Sequence, residues 1–446
     1  MVVMRFDEKG FAEELDKQRE REFLKRVAAY DKQIAPTMRA NGYKRIDSSE
    51  RTVLFTFGEM TFSRNRWRRG TKTCYPVDEW LGLKKYMRCS LELMYHLVRY
   101  ASEMSYRQVC RMIKLSYRLD ITKDMVLKAV KLTGQLFSEK SHYRYFVEEE
   151  VSEKIKAPII YIEGDGVLVK TSIGGDGKRN TDLAHFLIHT GTKTVHGRTT
   201  LLNKHEIIHT DYEVARDELL DYLYNHFEIA DQTVLVTNSD NGKGYSRQVF
   251  QNIKKALNIK RHEHFWDAHH VKEKISSFFK AYPKPLKKLM FKAVQTHNRK
   301  LLKTVLDTVD SLVTDDEEYL AFQNFRKKFL NNFKDTKPAK LRGLSHKGIG
   351  VMESQHCKVT FRMKHRGMYW SLNGACTMAK LILLERIDQL EELFFGAWRK
   401  DYQYYRDNQL GVGRLSDAEV DHSATSQKMF KRPGHFASFD RHNYKY

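Results

Sequence analysis

The amino-acid sequence predicts an α/β protein whose core is a mixed β-sheet with helices packed on it. Residues 159–162 and 233–237 are short apolar runs bounded by turn residues, which is typical of buried strands. Further strand-like segments follow at 184–190 and 198–202, and an amphipathic helix is expected at 211–228. Three neighbouring strands, a helix and another strand indicate a mixed sheet covered by helices.

The chain has 446 residues, too many for one ordinary core, so we expect two to four domains. Hydrophobic residues make up 41% and charged residues 30%, which is a globular rather than a disordered composition. The formal net charge of +22 favours a polyanionic partner. The alternative is a protein with a generally basic surface.

Five cysteines are scattered along the chain without a CxxC pair. This argues against a disulfide framework and a cysteine zinc site, and it favours a reducing cytosol. The N-terminus opens with charged residues instead of the apolar core of a secretory signal, and the sequence has no run of about 18 apolar residues. We therefore expect a cytoplasmic protein without a membrane partner.

Residues 1–43 are predicted to form a helical arm and residues 44–87 a small β-hairpin region. The second strand of the hairpin runs into Arg64-Asn65-Arg66-Trp67-Arg68-Arg69. Four arginines around a tryptophan would make a strip that contacts phosphates and offers a ring for stacking. The alternative is a basic surface strand whose Trp67 packs underneath.

Residues 88–150 are predicted to be a helix-turn-helix-like DNA-binding domain. Ser105 begins one short helix, a polar break follows at 119–122, and Thr122 then caps a second helix that carries Lys123 and Lys128. Two short helices of this kind can place the second one in the major groove of DNA. A helix pair without contact to DNA is the alternative.

The α/β core is expected in two parts, at residues 151–270 and 343–405. Between them, residues 271–342 are lysine-rich and lack strand signals, which predicts an all-helical insertion. The last regular element is a long amphipathic helix from about residue 373 to 400. Residues 406–446 form a polar tail that we expect to be partly disordered.

Three acids are candidates for one catalytic centre. Asp165 and Asp240 each follow a buried strand and precede a glycine within two positions, and Glu353 follows a glycine-containing turn that could open a helix. Carboxylates that converge repel each other unless a cation lies between them. Three of them can hold two Mg²⁺ or Mn²⁺ ions, an arrangement that suits in-line attack on a phosphodiester.

Other acids compete for this role, namely Glu163, Asp176, Asp182 and Asp211. A second constellation is Asp267 and His270, which share a face if the segment is helical. They could bind a metal, hold the active site in shape or contact DNA. The GxxxxGK[ST] pattern is absent from the sequence, which disfavours ATP hydrolysis.

Four motifs follow one another along the chain: Gly164-Asp165-Gly166, Asn238-Ser239-Asp240-Asn241-Gly242, Asp267-Ala268-His269-His270 and Met352-Glu353-Ser354. In this order they resemble the DDE transposases of bacterial insertion sequences, of the ISLre type related to Mutator-like elements. Residues 53–62, 101–107 and 365–375 are similar to further segments of that family.

The resemblance implies an RNase H-like catalytic core, interrupted by an all-helical insertion before Glu353. It implies that Asp165, Asp240 and Glu353 hold two Mg²⁺ or Mn²⁺ ions. Asp267 and His270 match a [C/D]xxH motif of related transposases. The chain departs from the family at Ser354, where glycine is frequent, and at Arg366-Gly367-Met368-Tyr369-Trp370-Ser371, where Arg-Pro and Met-Gly-Trp-Ser are frequent. Arg366 and Trp370 of this segment are expected to contact DNA.

The activity implied is metal-dependent cleavage of DNA at the ends of a mobile element, followed by strand transfer. The expected partners are double-stranded DNA and further copies of the chain, because two ends must be joined in one reaction. Such a protein would be associated with the nucleoid in the cytoplasm. Two alternatives stay open: a transposase-derived DNA-binding protein without catalysis, and an RNase H-like nuclease acting on RNA or branched DNA.

Overall fold

The structure, a computed structural model, describes residues 6–146, 153–172, 177–242, 244–364 and 367–412. The chain divides into two compact units. The first comprises Met1–Phe146 and Leu384–Arg406, and the second comprises Val147–Leu383 and Asp407–Tyr446.

The helices, in chain order, are α1 (Glu8–Ala40), α2 (Pro76–Trp80), α3 (Leu91–Glu103), α4 (Tyr106–Tyr117), α5 (Lys123–Phe146), α6 (Tyr212–His226), α7 (Arg247–Ala256), α8 (Ala268–Phe278), α9 (Lys284–Gln295), α10 (Arg299–Asp310), α11 (Asp316–Asn332), α12 (Met352–Met363), α13 (Leu372–Glu385), α14 (Leu390–Phe395) and α15 (Trp398–Val412). Two turns of 3-10 helix, Phe333–Thr336 and Ala339–Arg342, follow α11.

The strands are β1 (Lys44–Phe55), β2 (Gly58–Arg69), β3 (Lys72–Cys74), β4 (Ile155–Lys156), β5 (Ile159–Ser172), β6 (Lys178–His189), β7 (Gly191–Val195), β8 (Arg198–Leu202), β9 (His205–His209), β10 (Phe227–Glu228), β11 (Val234–Ser239) and β12 (Arg261–Trp266).

The first unit begins with α1 packed on a three-stranded antiparallel sheet of β1, β2 and β3. β1 and β2 pair as a hairpin in which Phe55 lies opposite Gly58, whose φ of +141° favours glycine. Alternating apolar residues of the hairpin form a core with Val27 of α1. The hairpin is longer than its alternating apolar segment. Pairing continues through polar residues as far as Lys44, which lies opposite Arg68.

Helices α3, α4 and α5 pack together in the same unit. α4 begins with a capping box, in which Ser105 and Gln108 each accept a hydrogen bond from the other's backbone N–H. It ends at Arg118, whose φ of +55° is left-handed. The N–H of Met125 lies 3.4 Å from Oγ1 of Thr122, just before α5. Both expected helix starts, at Ser105 and Thr122, are therefore present.

A five-stranded mixed sheet forms the centre of the second unit, in the order β12-β11-β5-β6-β9. β5, β6 and β9 are antiparallel neighbours, whereas β11 and β12 run parallel to β5. The predicted α/β class with a mixed sheet is thereby confirmed.

The third antiparallel strand of this sheet is β9 and not the segment 198–202 that the sequence favoured. Residues 198–202 form β8, which pairs with β7 in a separate two-stranded hairpin. β9 reads His-Glu-Ile-Ile-His, in which only Ile207 and Ile208 are buried. Two adjacent isoleucines between polar residues do not alternate with polar residues, so the pattern that predicts a strand is absent from this segment.

Helices cover both faces of the sheet. On one face, Ile162, Phe186 and Leu235 pack against α6 and α7. On the other face, Tyr161, Val236 and Phe265 meet Ala339 of the second 3-10 turn. α12 also packs on β5. The two faces of β5 thus belong to different cores, and the face with Tyr161 carries Glu163 and Asp165.

The described chain between β12 and α12 contains helices and no strand. α8 to α11 share an apolar core of their own, whose buried residues include Met290, Leu302, Val305, Phe322 and Phe329. Among the residues that the structure describes, no helix is long and apolar enough to cross a membrane.

The single long helix expected at 373–400 is instead three helices, α13, α14 and α15. Asp388, between the first two, has a φ of +53°, and Gly396 separates α14 from α15. A left-handed residue cannot continue a right-handed helix, so the chain turns at this point. Residues 413–446, most of the predicted tail, lie outside the described residues.

Candidate active site

Three neighbouring parallel strands each deliver an aspartate to the same edge of the sheet. In the sheet register, Gly164 of β5 lies beside Ser239 of β11, which lies beside Trp266 of β12. The next residue on each strand is an aspartate, Asp165, Asp240 or Asp267. β11 and β12 end here, and the N–H of Asp267 still donates to the carbonyl of Ser239 at 2.7 Å. Parallel pairing therefore places the three carboxylates in one row.

Glu353 reaches this row from a different element. It lies in the first turn of α12 and lines the same small cavity as the aspartates. The other residues that line the cavity are Gly164, Asn238, Ser239, His269, His270, Gly350 and Met352. The structure thus brings together Asp165, Asp240 and Glu353, which are 75 and 113 residues apart in sequence.

Glu163, one of the rival acids, holds the start of the helix that carries Glu353. Its carboxylate accepts the backbone N–H groups of Gly350, Val351 and Met352 at 2.6, 2.9 and 2.8 Å. These donors have no partner within α12, because the first N–H groups of a helix point away from it. Burial raises the pKa of Glu163 to about 7, and the three N–H donors oppose that rise. Its contacts are with backbone amides, so its role in the site is to position α12.

Two glycines let neighbouring side chains pack tightly beside Asp165. A Cβ atom on Gly164 would lie 2.6 Å from the ring of Tyr245 and 3.0 Å from that of Phe186. A Cβ atom on Gly166 would lie 2.2 Å from the carboxylate of Asp182. A side chain at either glycine would therefore displace a neighbouring side chain, and at Gly164 that neighbour is a buried aromatic ring.

Asp165 is a partly buried carboxylate with a raised pKa. Its pKa is raised to about 6, chiefly by burial and in smaller part by the nearby charges of Asp240 and Asp267, while a hydrogen bond from the N–H of Gly166 and the charge of His270 lower it. Like charges at short range destabilise one another. A cation bound among these carboxylates would relieve their repulsion.

Asp267 and His270 form a hydrogen-bonded pair at the beginning of α8. Asp267 caps the helix by accepting from the N–H groups of His269 and His270, and its Oδ1 lies 3.1 Å from Nδ1 of His270. Burial raises the pKa of Asp267, but hydrogen bonds from His270 and Asn238 outweigh it and lower the pKa to about 2. Asp267 is thus already partnered within the protein, which fits a role in shaping the cavity.

The structure adds His356 to the centre, a residue that sequence analysis missed. His356 lies one turn after Glu353 on α12, and its Nδ1 is 3.8 Å from Oδ2 of Asp165. One ligand atom from each of Asp165, Glu353 and His356 lies within 4.8 Å of the others. The signal in the sequence was the three-residue spacing from Glu353, which places both side chains on one helix face. Asp240 lies outside this group of three.

His356 belongs to a buried polar network. The ring of His356 stacks on that of His185, with centroids 5.2 Å apart. Nε2 of His185 lies 3.2 Å from Oε1 of Glu206, and Glu206 also pairs with Lys358 and Lys204. Burial lowers the pKa of His356 to about 3, so its ring is neutral at physiological pH.

A zinc site at residues 205–209, which a sequence pattern suggests, is excluded by the conformation of that segment. His205-Glu206-Ile207-Ile208-His209 fits the HExxH motif, whose histidines bind one zinc ion when they lie four apart on a helix. Here the segment is β9. Four residues of strand span about 13 Å, too far for two ligands of one ion.

Two tryptophans that were expected to contact DNA are core residues. Trp67 is 1% exposed, and Trp370 is 7% exposed with its Nε1–H donating to the carbonyl of Met363. Neither ring is available as a stacking surface. A tryptophan ring buries a large apolar area, so packing inside outweighs its use on a surface. For Trp67 the alternative that the sequence left open, a ring packed under a basic strand, is the observed one.

The predicted basic residues of the first unit differ in their surroundings. Arg64 is an ion-pair partner of buried Asp78, and Arg66 pairs with Asp47. Arg68 and Arg69 are exposed, with Arg69 lying 5.0 Å above the ring of Tyr43. Lys123 and Lys128 of α5 are exposed as well. Arg68, Arg69, Lys123 and Lys128 are thus on the surface, whereas Arg64 and Arg66 are held in ion pairs within the fold.

Two further candidate acids, Asp211 and Asp182, have contacts within the second unit. Asp211 caps α6 by accepting from Glu213 and Val214, a structural task. Asp182 lies against Gly166, and burial and the charge of Asp240 raise its pKa. Asp176 and Arg366 lie outside the described residues.

The fold and the site together define an α/β protein with a carboxylate-lined cavity where parallel strands end. The chain belongs to an uncharacterised protein family, UPF0236, whose sequence model matches residues 5–391. It is similar to the "UPF0236 protein in vanSb 3'region" of Streptococcus gallolyticus, with 28% identity over 383 residues. That alignment covers 84% of this chain and 80% of the relative.

Proposed function

We propose that this protein is a DDE transposase, which binds the ends of a mobile element and catalyses metal-dependent DNA strand cleavage and strand transfer. One observation carries the proposal. Asp165, Asp240 and Glu353 come from three separate elements and line one cavity. Converging carboxylates of this kind are what two-metal phosphoryl-transfer sites use.

The topology of the second unit supports an RNase H-like assignment of the core. Three antiparallel strands, β5, β6 and β9, are followed by two strands parallel to the first, β11 and β12. The acids lie on the first of these five strands, directly after the fourth, and on a later helix. That distribution is the one expected of an RNase H-like core whose third acid follows a helical insertion.

The donor set fits hard divalent cations. Carboxylate oxygens suit Mg²⁺ and Mn²⁺, and the cavity is lined by four carboxylates, of which that of Asp165 has a raised pKa. Asp165 would be shared between two ions, with Asp240 completing one site and Glu353 the other. When bound, the ions would supply activation of the attacking oxygen and stabilisation of the leaving 3′-oxygen. Glu163 and the Asp267–His270 pair hold the elements that carry these ligands.

The helical segment contributes positive charge beside the acids. Lys328 of α11 interacts with Asp240 and with Lys274 of α8, and burial with the neighbouring Lys274 lowers the pKa of Lys328. Cationic side chains next to a carboxylate centre favour approach of a phosphate backbone. This supports DNA as the substrate.

The first unit offers a basic groove for DNA binding. The groove has a volume of 1730 Å³, larger than a typical small-molecule pocket. Its cationic lining residues are Arg51, Arg64, Arg66, Lys84, Lys85, Arg88, Arg399, Lys400 and Arg406. Four acids, Glu59, Asp78, Glu79 and Glu139, oppose these nine cations. We propose that this groove and the α4–α5 pair contact the element ends, the latter as a helix-turn-helix through Lys123 and Lys128.

The test is strand cleavage by purified full-length protein with Mg²⁺, on DNA that carries the two ends flanking the gene. The wild type should cut at the ends and join them to target DNA, whereas Asp240→Ala should lose at least about 10³-fold in rate. Asp231→Ala is the matched control, because Asp231 is exposed and pairs only with Lys260 among the ion pairs found.

Three outcomes would count against the proposal. Binding to the ends without cutting by the wild type would favour a DNA-binding protein without catalysis. Cutting of RNA–DNA hybrids without preference for the ends would favour an RNase H-like nuclease. Equal cutting by the wild type and Asp240→Ala would remove Asp240 from the catalytic centre.

A further inference from the structure

The imidazole of His356 is placed as a metal ligand would be. Two atoms bound to one ion at about 2.1 Å each are at most about 4.2 Å apart. Nδ1 of His356 and Oδ2 of Asp165 are 3.8 Å apart, which lies within that limit and beyond hydrogen-bond range. The exposed side chain of Glu353 belongs to the same group within 4.8 Å, so it needs to move less than about 1 Å to join them.

His356 also lacks the partners that a structural histidine has. It is 6% exposed, and its Nε2 is buried without a hydrogen-bond partner among the residues that the structure describes. The other ring nitrogen, Nδ1, lies 3.8 Å from Oδ2 of Asp165, so it is the nitrogen that an ion beside Asp165 would bind. Asp267 and His270, by contrast, already bond to each other.

The surroundings hold the ring in place. His185, which lies beside Asp165 in the sheet register, stacks against it, and His185 is itself fixed by Glu206. Glu206 is fixed in turn by Lys358, which lies two residues after His356 on α12. Stacking on His185 thus restricts the orientation of the His356 ring.

We propose that His356 is a nitrogen ligand of one of the two metal ions, so that the two metal sites of the centre differ chemically. This inference rests on the proposed function. One site has Asp165, Glu353 and His356, and the other has Asp165 and Asp240 with oxygen atoms only. Imidazole binds transition metals in preference to Mg²⁺, whereas an oxygen-only site suits Mg²⁺ well. The first site is therefore selective for Mn²⁺ or Co²⁺ over Mg²⁺.

The direct test is pulsed electron paramagnetic resonance of full-length protein loaded with Mn²⁺ alone. The wild type should show ¹⁴N coupling to bound Mn²⁺, and His356→Gln should lose it. His269→Gln and His270→Gln are the matched controls, because both histidines line the cavity together with Asp165 and Glu353, and both should keep the coupling. Asp240→Ala should keep it too, since that change affects the oxygen-only site.

Titration calorimetry gives an independent readout. At one of the two metal sites, His356→Gln should weaken the binding of Co²⁺ at least about 10-fold. The binding of Mg²⁺ at that site should weaken less than about 3-fold. Thermal unfolding without metal shows whether His356→Gln is folded. If it is not, the ¹⁴N coupling expected in Asp240→Ala still tests whether nitrogen binds Mn²⁺.

Nitrogen coupling that persists in His356→Gln, or that disappears in His270→Gln instead, would overturn the inference. Equal loss of Co²⁺ and Mg²⁺ binding would do the same. If the wild type binds Mn²⁺ through oxygen alone and still cuts DNA ends, the inference fails and the proposed function stands. If the wild type binds no divalent ion in the cavity, both fail.

Discussion

At the scale of single residues, the site depends on contacts that join distant parts of the sequence. Asp165, Asp240 and Glu353 could be selected from their local context, because each adjoins a glycine-containing turn and the set resembles a known family. Their presence in one cavity agrees with that selection, and their catalytic role stays a prediction. Glu163 and His356 could not be assigned in this way. Glu163 binds amides 187 to 189 residues further along the chain, a relation that no local pattern encodes.

The position of Glu353 should depend on Glu163. Replacing Glu163 by alanine leaves the N–H groups of Gly350, Val351 and Met352 without their acceptor in a buried place. We expect the free energy of unfolding to fall by about 3 kcal/mol, since each buried unpaired amide costs about 1–3 kcal/mol and some will reach water. Urea denaturation measures this. Glu353→Ala is the control, and its exposed side chain should cost less than about 0.5 kcal/mol. Equal losses in the two variants would contradict the role of Glu163.

At the scale of elements, prediction succeeded where a strand contains an apolar run and failed where polar residues occupy a strand. The strands at Asp165 and Asp240 contain short apolar runs, and both were expected. β9 and β12 were missed because their sequences, His-Glu-Ile-Ile-His and Arg-His-Glu-His-Phe-Trp, are mostly polar or aromatic. In β12, buried His264 and half-buried His262 lie beside Thr237, whose Oγ1 is 2.8 Å from a ring nitrogen of each. A cross-strand hydrogen bond of this kind cannot be anticipated from hydropathy.

The α4–α5 pair should bind DNA through the exposed face of α5. Changing Lys123 and Lys128 together to glutamine removes two cations from this face and leaves the buried residues Val126 and Ala129 unchanged. We expect weaker binding to all DNA sequences, and a slope of log affinity against log salt that is smaller by about 2. Fluorescence anisotropy at several salt concentrations measures both. Lys17 and Lys25 of α1, changed in the same way, serve as the control. A salt slope equal to that of the wild type would remove α5 from the DNA interface.

At the scale of the whole molecule, the second unit buries several neutral histidines, which makes its stability depend on pH. Burial lowers the pKa of His189 to about 4 and that of His264 well below its ordinary value. The unfolded chain binds protons at these residues below about pH 6.5, whereas the folded chain does not. Stability should therefore rise with pH between about 4 and 6.5, and it should be lost as the pH falls through that window.

His189 alone should account for about 2 kcal/mol of the stability lost between pH 7.5 and pH 5, from its pKa of about 4 against about 6.5 in the unfolded chain. His189→Phe keeps a ring stacked on Tyr161, and it should lose correspondingly less stability over the same pH interval, although its stability at pH 7.5 will be lower. Urea denaturation at the two pH values gives the comparison, with exposed His346→Phe as the control. An unchanged pH dependence in His189→Phe would show that His189 is protonated in the folded protein.

The central claim is that Asp165, Asp240 and Glu353 form one divalent-metal centre. The most direct measurement is anomalous diffraction from crystals of the full-length protein grown with millimolar Mn²⁺. Two anomalous peaks should lie in the cavity, one between Asp165 and Asp240 and the other beside Asp165 and Glu353. Peaks only at other acidic groups, or an empty cavity at that Mn²⁺ concentration, would contradict the claim.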